Sequence, residues 1–159
     1  MTEEHKETVS NEENHEVWGQ VDEKSITSEI SRHAKNPQNL GIIENPQSQA
    51  TLAGLNEEFL SVQMYLGGVV IRDIRFQTNG NIFVVASASI ATEFVKNKPL
   101  SHALTITADK IDSLLGGLPR AHKPAADLVA DTVRAAAENA MENLSEPLKL
   151  MYLGSSVET

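Results

Sequence analysis

The chain has 159 residues, enough for one domain with a single hydrophobic core, and it contains no cysteine. Hydrophobic residues make up 40% of it and its formal net charge is −9, as in an ordinary globular protein of acidic character. This charge argues against nucleic acid and anionic membranes as partners, and the absence of thiols excludes disulfides and thiolate metal ligands.

The beginning of the chain predicts a disordered acidic tail. Residues 1–17 hold six glutamates, one lysine and few apolar groups, so burial cannot offset the entropy of ordering them. They lack the layout of a signal peptide, and the longest apolar run, Ile82–Ala86, is too short to cross a bilayer. We therefore expect a cytoplasmic protein divided into the tail, a folded domain over 18–143, and a C-terminal helix and tail over 144–159.

A first helix is predicted from about Asp22 to Ala34. Ile26 and Ile30 lie one turn apart on one face of it. The helix should stop at Asn36–Pro37, because the residue before a proline avoids the helical conformation.

The next region predicts a β-hairpin. Alternating apolar and polar residues indicate a strand over Leu60–Leu66, and Gly67–Gly68 favours a tight turn into a return strand over Val69–Phe76. The apolar phase of the return strand slips between Ile71 and Ile74, which indicates a β-bulge there.

A third strand and a change to helical periodicity follow. Asn79–Gly80 predicts a second turn, and the apolar run Ile82–Val85 predicts the third strand. From Ala86 onward the apolar spacing is that of a helix, with Ser87 or Ser89 as its N-cap.

The last third of the chain predicts further helices. One has Thr107 as its N-cap and ends at Gly116–Gly117, and the longest begins near Pro124. A short helix after Ser145 should end at Gly154. Strands followed by helices predict an α+β fold, a three-stranded antiparallel sheet with helices packed on one face.

Four stretches carry a resemblance to a known family: HAKNPQNLG at 33–41, IRFQTNG at 74–80, ASASIATEFVK at 86–96 and GLP at 117–119. They resemble, in this order, the His-x-x-Asn-Pro-Arg-Asn-Val-Gly, Ala-Arg-Phe-Lys-Thr-Tyr-Gly, Ala-Ser-Ser-Ser-Leu-Val-Thr-Glu-Trp-Val-Lys and Leu-Pro-Pro segments of the NifU/IscU family of iron–sulfur cluster scaffolds. The resemblance covers about residues 23–140 and implies the fold of that family.

The resemblance also implies where a cluster site lies. In the family, three cysteines and an aspartate surround the cluster, and a histidine precedes the last cysteine. Transferred by position, Asn56 and Asn81 stand at the first two cysteines and Glu58 at the aspartate. The family's His-Cys pair falls on Pro124 and Ala125, so both of those ligands are absent.

These replacements decide the chemistry. Iron–sulfur clusters are held by thiolates, for which carboxamide oxygen and methyl groups are no substitute, and accepting a persulfide also requires a thiol. The chain alone therefore cannot act as a cluster scaffold or sulfur acceptor by the family's usual route. The stretch LPRAH at 118–122 also differs from the family's Leu-Pro-Pro-Val-Lys chaperone-recognition segment.

A metal site without cysteine is one alternative. If the family fold holds, five polar side chains can converge into an oxygen-rich site for a hard or borderline divalent ion: Asn56, Glu57, Glu58, Asn81 and His122. Each also has a simpler interpretation. The two glutamates before a strand are typically solvated, an asparagine after Gly80 suits a tight turn, and a histidine at a helix entrance is usually a surface residue.

Four residues are candidates for binding a partner protein: Trp18, His33, Leu118 and Pro119. Trp18 either packs on the core or anchors a partner. His33 either stabilises the C-terminus of the first helix as a positive imidazole or contacts a partner. Leu118 and Pro119 are what the chain keeps of the chaperone-recognition segment.

No pattern of nucleophilic catalysis or phosphate binding is found, so we expect a protein that is not an enzyme and needs no cofactor. The favoured hypothesis is a scaffold relative that works through contacts with proteins of iron–sulfur cluster assembly, a sulfur donor or an intact scaffold. The alternatives are a small metal-binding protein and a module repurposed for another partner or ligand, with Leu55, Ile82 and Ala125 lining the emptied site.

Overall fold

The computed structural model describes residues 25–150 and confirms the α+β fold. Three antiparallel strands, in the order β1-β2-β3, are packed against helices. Within this range, no helix is both long enough and apolar enough to span a membrane. In chain order the elements are α1 (Ser28–Lys35), β1 (Ser48–Ala53), β2 (Phe59–Gly67), β3 (Val70–Thr78), α2 (Ile82–Val95), α3 (Leu100–Leu104), α4 (Ala108–Leu114), a 3-10 turn (Arg120–His122) and α5 (Pro124–Glu142).

The predicted hairpin and its bulge are confirmed. The apolar residues of β2 are buried at every second position, and Gly68 provides the positive φ of the turn, +62°. Tyr65 pairs with Asp73 and Leu66 pairs with Ile71, which leaves Arg72 as the extra residue of the bulge. The slip in apolar phase along β3 therefore has the predicted cause.

The predicted third strand over Ile82–Val85 is wrong, because these residues form the first turn of α2. The side chain of Asn81 caps this helix: its Oδ1 accepts hydrogen bonds from the backbone N–H groups of Phe83 and Val84. The predicted caps Ser87 and Ser89 are instead buried in the middle of the helix. The third strand of the sheet is β1, which the sequence analysis did not predict.

The remaining helix boundaries largely follow the predictions. Thr107 caps α4, with its hydroxyl oxygen accepting from the backbone N–H of Lys110 at 3.1 Å, and α5 begins at Pro124. α1 begins at Ser28, later than predicted. Residues 146–150 are helical, as expected after Ser145. The predictions for residues 1–17, for Trp18 and for Gly154 fall outside the described residues.

The core lies between the inner face of the sheet and the two long helices. α5 packs on β1 and β2, and α2 packs on β3 and α5. The buried stripe of α5 consists largely of small residues, so this helix lies close to the sheet: Ala126, Val129, Ala130, Val133, Ala136, Ala137 and Ala140. This arrangement brings the start of α5 next to the start of α2 and the β1–β2 loop.

Candidate functional site

A pocket of about 240 Å³ opens where the β1–β2 loop, the start of α2 and the start of α5 meet. It brings together four of the five predicted site residues, Asn56, Glu58, Asn81 and His122. Glu57 is exposed and does not line this pocket. The complete lining is Leu55, Asn56, Glu58, Asn81, Val84, Ala121, His122, Pro124 and Ala125.

The side chain of Asn81 has a structural task at this site. Its Oδ1 lies 3.0 Å from the backbone nitrogen of Phe83 and 3.3 Å from that of Val84, and so satisfies two amides that a helix start leaves without partners. The backbone N–H of Asn81 donates in turn to Glu58 Oε2 over a long 3.5 Å. The carbonyl oxygen of the Asn81 side chain is therefore already used in holding α2.

His122 closes one side of the pocket. Its imidazole stacks on the ring of Phe83, with the ring centroids 4.0 Å apart and the planes at 19°. Burial lowers the pKa of His122 below its ordinary value, and the negative charge of Glu58 opposes this shift to a smaller degree. The imidazole of His122 therefore takes up a proton less readily than an exposed histidine does.

The loop before β2 is held to the β3–α2 turn by Asn79, a residue that the sequence analysis assigned only to a turn. Its side chain accepts a hydrogen bond from the backbone N–H of Phe59 at 2.8 Å and donates one to the carbonyl of Glu57 at 3.2 Å. Asn56 and Glu57 both have positive φ, 54° and 62°. The Asn-Gly pattern signals a turn, but nothing in the sequence signals a contact spanning two loops.

Two of the four candidates for partner binding are buried, since His33 is 0% exposed and Leu118 is 4% exposed. His33 Nδ1 lies 2.6 Å from Ser89 Oγ, and its Nε2 lies 3.0 Å from an Arg32 nitrogen, which can only donate. Nε2 therefore accepts and Nδ1 carries the proton. Burial is the main cause that lowers the pKa of His33, followed by the charge of Arg32. With Nε2 accepting from Arg32, the imidazole lacks the positive charge that the predicted helix cap requires. Pro119 is half-buried.

Comparison with known proteins places this chain in a family. Residues 25–144 match the family model described as the NifU-like N terminal domain. The chain belongs to this family. A NifU-like domain thus accounts for nearly the whole described part of the chain.

Individual NifU-like relatives support the assignment. The chain is 31% identical over 133 residues to the iron–sulfur cluster assembly scaffold protein IscU 1 of Archaeoglobus fulgidus, covering 83% of this chain and 87% of that protein. It is 37% identical over 90 residues to the scaffold protein IscU of Aquifex aeolicus, covering 55% and 57%. The crystal structure of a NifU-like protein from Brucella abortus shares the fold, with a TM-score of 0.57 at 19% identity, over 74% of this chain and 95% of that one. This chain is a homologue of cluster assembly scaffolds, and the two IscU relatives are named as scaffold proteins.

The pocket of this NifU-like domain does not fit an iron–sulfur cluster. The whole sequence lacks cysteine, and the three residues that the resemblance assigns to the cysteine positions, Asn56, Asn81 and Ala125, all line the pocket. One asparagine caps a helix, and Ala125 is only 9% exposed within the core. Two amides, a carboxylate and one imidazole offer no soft donor for iron–sulfide units. Among residues 25–150, no group of three or more His, Asp or Glu side chains is placed to hold a metal ion.

Proposed function

We propose that this protein serves iron–sulfur cluster assembly through protein–protein contacts, docking on a sulfur donor or on a cysteine-bearing scaffold without carrying a cluster itself. It acts in the cytoplasm and catalyses no reaction. One observation carries the proposal: the fold of the scaffold family is kept, while the three positions that the resemblance assigns to cysteine ligands hold Asn56, Asn81 and Ala125.

Two of the residues at the replaced positions, Asn81 and Ala125, have structural roles in the fold, and these roles support the proposal. Asn81 stabilises α2 and Ala125 packs in the core, so neither position is a vestige left to vary freely. A domain that had merely lost its ligands and its role would gain nothing from keeping the loop, helix start and pocket that surround them. A docking role depends on the surface shape of the domain and not on thiols. Such a role explains why the fold is kept although the cysteine ligands are absent.

The direct test is binding between purified proteins. The chain is titrated by calorimetry with the cysteine desulfurase of its own organism and, separately, with the cysteine-bearing scaffold. We expect micromolar or tighter binding to one of them, because specific contacts of ordinary interface size reach this range. Absence of binding to both proteins at high micromolar concentration would contradict the proposal.

The claim that the chain carries no cluster has its own test. The purified protein is incubated anaerobically with ferrous iron, sulfide and a thiol reductant, and then desalted. We expect protein-bound iron and sulfide no higher than for an unrelated cysteine-free protein. A stoichiometric brown chromophore on the desalted chain would overturn this part of the proposal.

A second candidate function, divalent metal binding, rests on the convergence of Glu58 and His122 in one pocket. The side-chain oxygen of Asn81 is committed to the cap of α2, and among residues 25–150 no three His, Asp or Glu side chains are placed to hold a metal ion, which is why we favour docking. Titration with iron(II), zinc and manganese distinguishes the two functions. Stoichiometric binding that is lost in Glu58→Ala and in His122→Ala would favour the metal-binding alternative.

A further inference from the structure

Among residues 25–150, strand β1 has one edge that no other strand covers. It pairs with β2 on its other side, and the hydrogen bond from Gly54 N–H to the carbonyl of Glu58 fixes which residues face β2. With that register, the backbone groups of Gln49, Thr51 and Ala53 point away from the sheet. An uncovered edge of this kind is a template for pairing with another strand.

The first half of this edge is blocked by α5. The Asn139 side-chain oxygen accepts from the N–H of Gln49 at 3.3 Å, and the Asn143 side chain donates to the carbonyl of Gln47 at 2.9 Å. In the second half, no described residue bonds the outward N–H groups of Thr51 and Ala53. Both residues are exposed. The free edge is therefore short and lies at the end of β1 nearest the functional pocket.

A cleft of about 480 Å³ lies beside this free end of the strand. α5 runs antiparallel to β1, so the residues that come before Asn139 on the helix form the wall opposite the end of the strand. The lining of the cleft is mostly apolar and includes three carboxylates, Glu58, Asp127 and Asp131. Its lining is Leu52, Ala53, Gly54, Leu55, Glu58, Pro124, Asp127, Leu128 and Asp131. A strand edge facing a helix across an apolar cleft is the arrangement in which extended peptides bind by adding a strand to a sheet.

We propose that the free edge of β1 and this cleft form a strand-addition groove for an extended, basic segment of a partner protein. Thr51 and Ala53 supply the backbone hydrogen bonds. Leu52 and Leu128 receive one apolar side chain, and the carboxylates receive a Lys or Arg two residues away from it, because alternate residues of an added strand face the helix. The proposal deepens the proposed function, on which it rests for the premise that the contacts are with proteins.

Charge complementarity decides between possible occupants. Asp131 is paired with Arg134, but Glu58 and Asp127 have no ion-pair partner among residues 25–150. A second copy of the chain, with a net charge of −9, would set these carboxylates against its own. The N-terminal segment of the chain, with six glutamates in residues 1–17, would be repelled in the same way. A basic partner segment is the occupant that fits.

The probe is the capped peptide Thr-Arg-Thr-Leu-Thr-Arg-Thr, which places leucine and both arginines on one face of a strand in either direction of binding. The first control, Thr-Thr-Arg-Leu-Arg-Thr-Thr, has the same composition but puts leucine and arginine on opposite faces. The second control replaces both arginines by glutamate. Fluorescence anisotropy should show binding of the probe that is about tenfold tighter than that of either control and that weakens with added salt. Failure of the probe to bind, or equal binding of the rearranged control, would overturn the groove.

Variants of the chain locate the contact. Thr51→Pro removes the outward N–H and leaves the pairing with β2 intact, because proline is tolerated on edge strands. This variant should bind the probe about tenfold more weakly. Thr51→Val keeps the N–H and should bind as the unmodified chain does. Asp127→Asn should weaken the probe about threefold and lose part of the salt dependence. Equal affinity of Thr51→Pro and Thr51→Val for the probe would place the contact elsewhere.

Amide hydrogen exchange in the unmodified chain decides the matter even if Thr51→Pro does not fold. The probe should protect the amides of Thr51 and Ala53, and unchanged exchange at both would count against strand addition.

The strand-addition groove and the proposed function can each fail without the other. An assembly protein that still binds Thr51→Pro while the probe fails would leave the proposed function standing without the groove. A probe that binds while both assembly proteins fail would leave the groove without the proposed function.

Discussion

The buried imidazole of His33 makes the stability of this fold depend on pH. Its Nε2 accepts a hydrogen bond from Arg32, and its Nδ1–H donates to Ser89, so the folded state holds the ring neutral. Burial lowers its pKa, Arg32 adds to this, and the more distant carboxylates of Glu93 and Glu29 oppose it. Protonation of Nε2 would place its N–H against the N–H donor of Arg32 and would put a positive charge in the core.

We therefore expect the free energy of unfolding to decrease as pH falls below 6.5, the ordinary pKa of histidine. In that range the unfolded chain binds a proton at His33, whereas the folded chain, in which the pKa is lower, does not. Urea denaturation between about pH 7 and pH 5.5 measures this decrease. Above about pH 7, His33 should no longer make the free energy of unfolding depend on pH. His122 contributes in the same direction, since its pKa is also lowered. The slope should be shallower in His33→Gln than in the unmodified chain. An identical slope would show that His33 does not titrate on unfolding.

Asn81 is the second residue with a measurable task. Its side chain satisfies two amides at the start of α2, so Asn81→Ala should lower the free energy of unfolding by about 1 kcal/mol. Asn81→Ser keeps a capping oxygen and should lose no more than a few tenths of that amount, or about 0.3 kcal/mol. Chemical denaturation of both variants checks this. Equal losses would mean that the asparagine acts through its size and not through its cap.

At the scale of elements, the junction between β3 and α2 tolerates no added bulk. A Cβ on Gly80 would lie 2.8 Å from Val84 Cβ, an atom fixed by the helix backbone. Gly80→Ala should therefore lower the free energy of unfolding by roughly 1–3 kcal/mol. Gly54→Ala is the matched control. Its Cβ would meet Leu128 Cδ2 at the same 2.8 Å, but that atom ends a flexible side chain beside a cleft, so the loss should stay below about 0.5 kcal/mol. Similar losses in thermal denaturation would contradict this reasoning.

The elements also show how far sequence reasoning reaches. The hairpin was predictable because one buried face imposes strict alternation, and the bulge at Arg72 followed from the break in it. The run Ile82–Val85 was misassigned because a short apolar run suits a buried strand as well as a buried helix. The hydrogen bonds that the Asn81 side chain accepts from Phe83 and Val84 stabilise these residues as a helix start and not as a strand. β1 was missed because its sequence, SQATLA, alternates too weakly, and its place comes from pairing with β2 and packing against α5.

The candidate site was predictable only in part. Its grouping of Asn56, Glu58, Asn81 and His122 follows from the resemblance, which fixes where loops meet in space. The bonds of Asn79 across two loops, and the burial of His33 against Ser89, depend on side-chain positions that no local pattern encodes. The sequence offers His33 as a partner contact because nothing in it signals that the ring is buried.

The whole molecule keeps a scaffold's architecture around a site of different chemistry. Positions 56, 81 and 125, far apart in sequence, all line one pocket of about 240 Å³. Because the fold places them together, the loss of cluster chemistry should be reversible by side chains alone. We expect the triple variant Asn56→Cys, Asn81→Cys and Ala125→Cys to bind an iron–sulfur cluster on anaerobic reconstitution, with bound iron and sulfide rising clearly above those of the unmodified chain.

Two features of the molecule set the conditions for this variant. Replacing Asn81 removes the cap of α2 and should destabilise the fold by about 1 kcal/mol, so reconstitution belongs at low temperature. The matched control carries Asn56→Cys and Ala125→Cys with Asn81→Ser, which keeps a cap but withholds the third thiolate. It should hold its cluster less firmly against a chelator than the triple variant does, since fewer thiolates anchor the iron. Equal retention would mean that position 81 does not face the cluster, and iron at background level in both variants would mean that the three positions do not converge as the pocket implies.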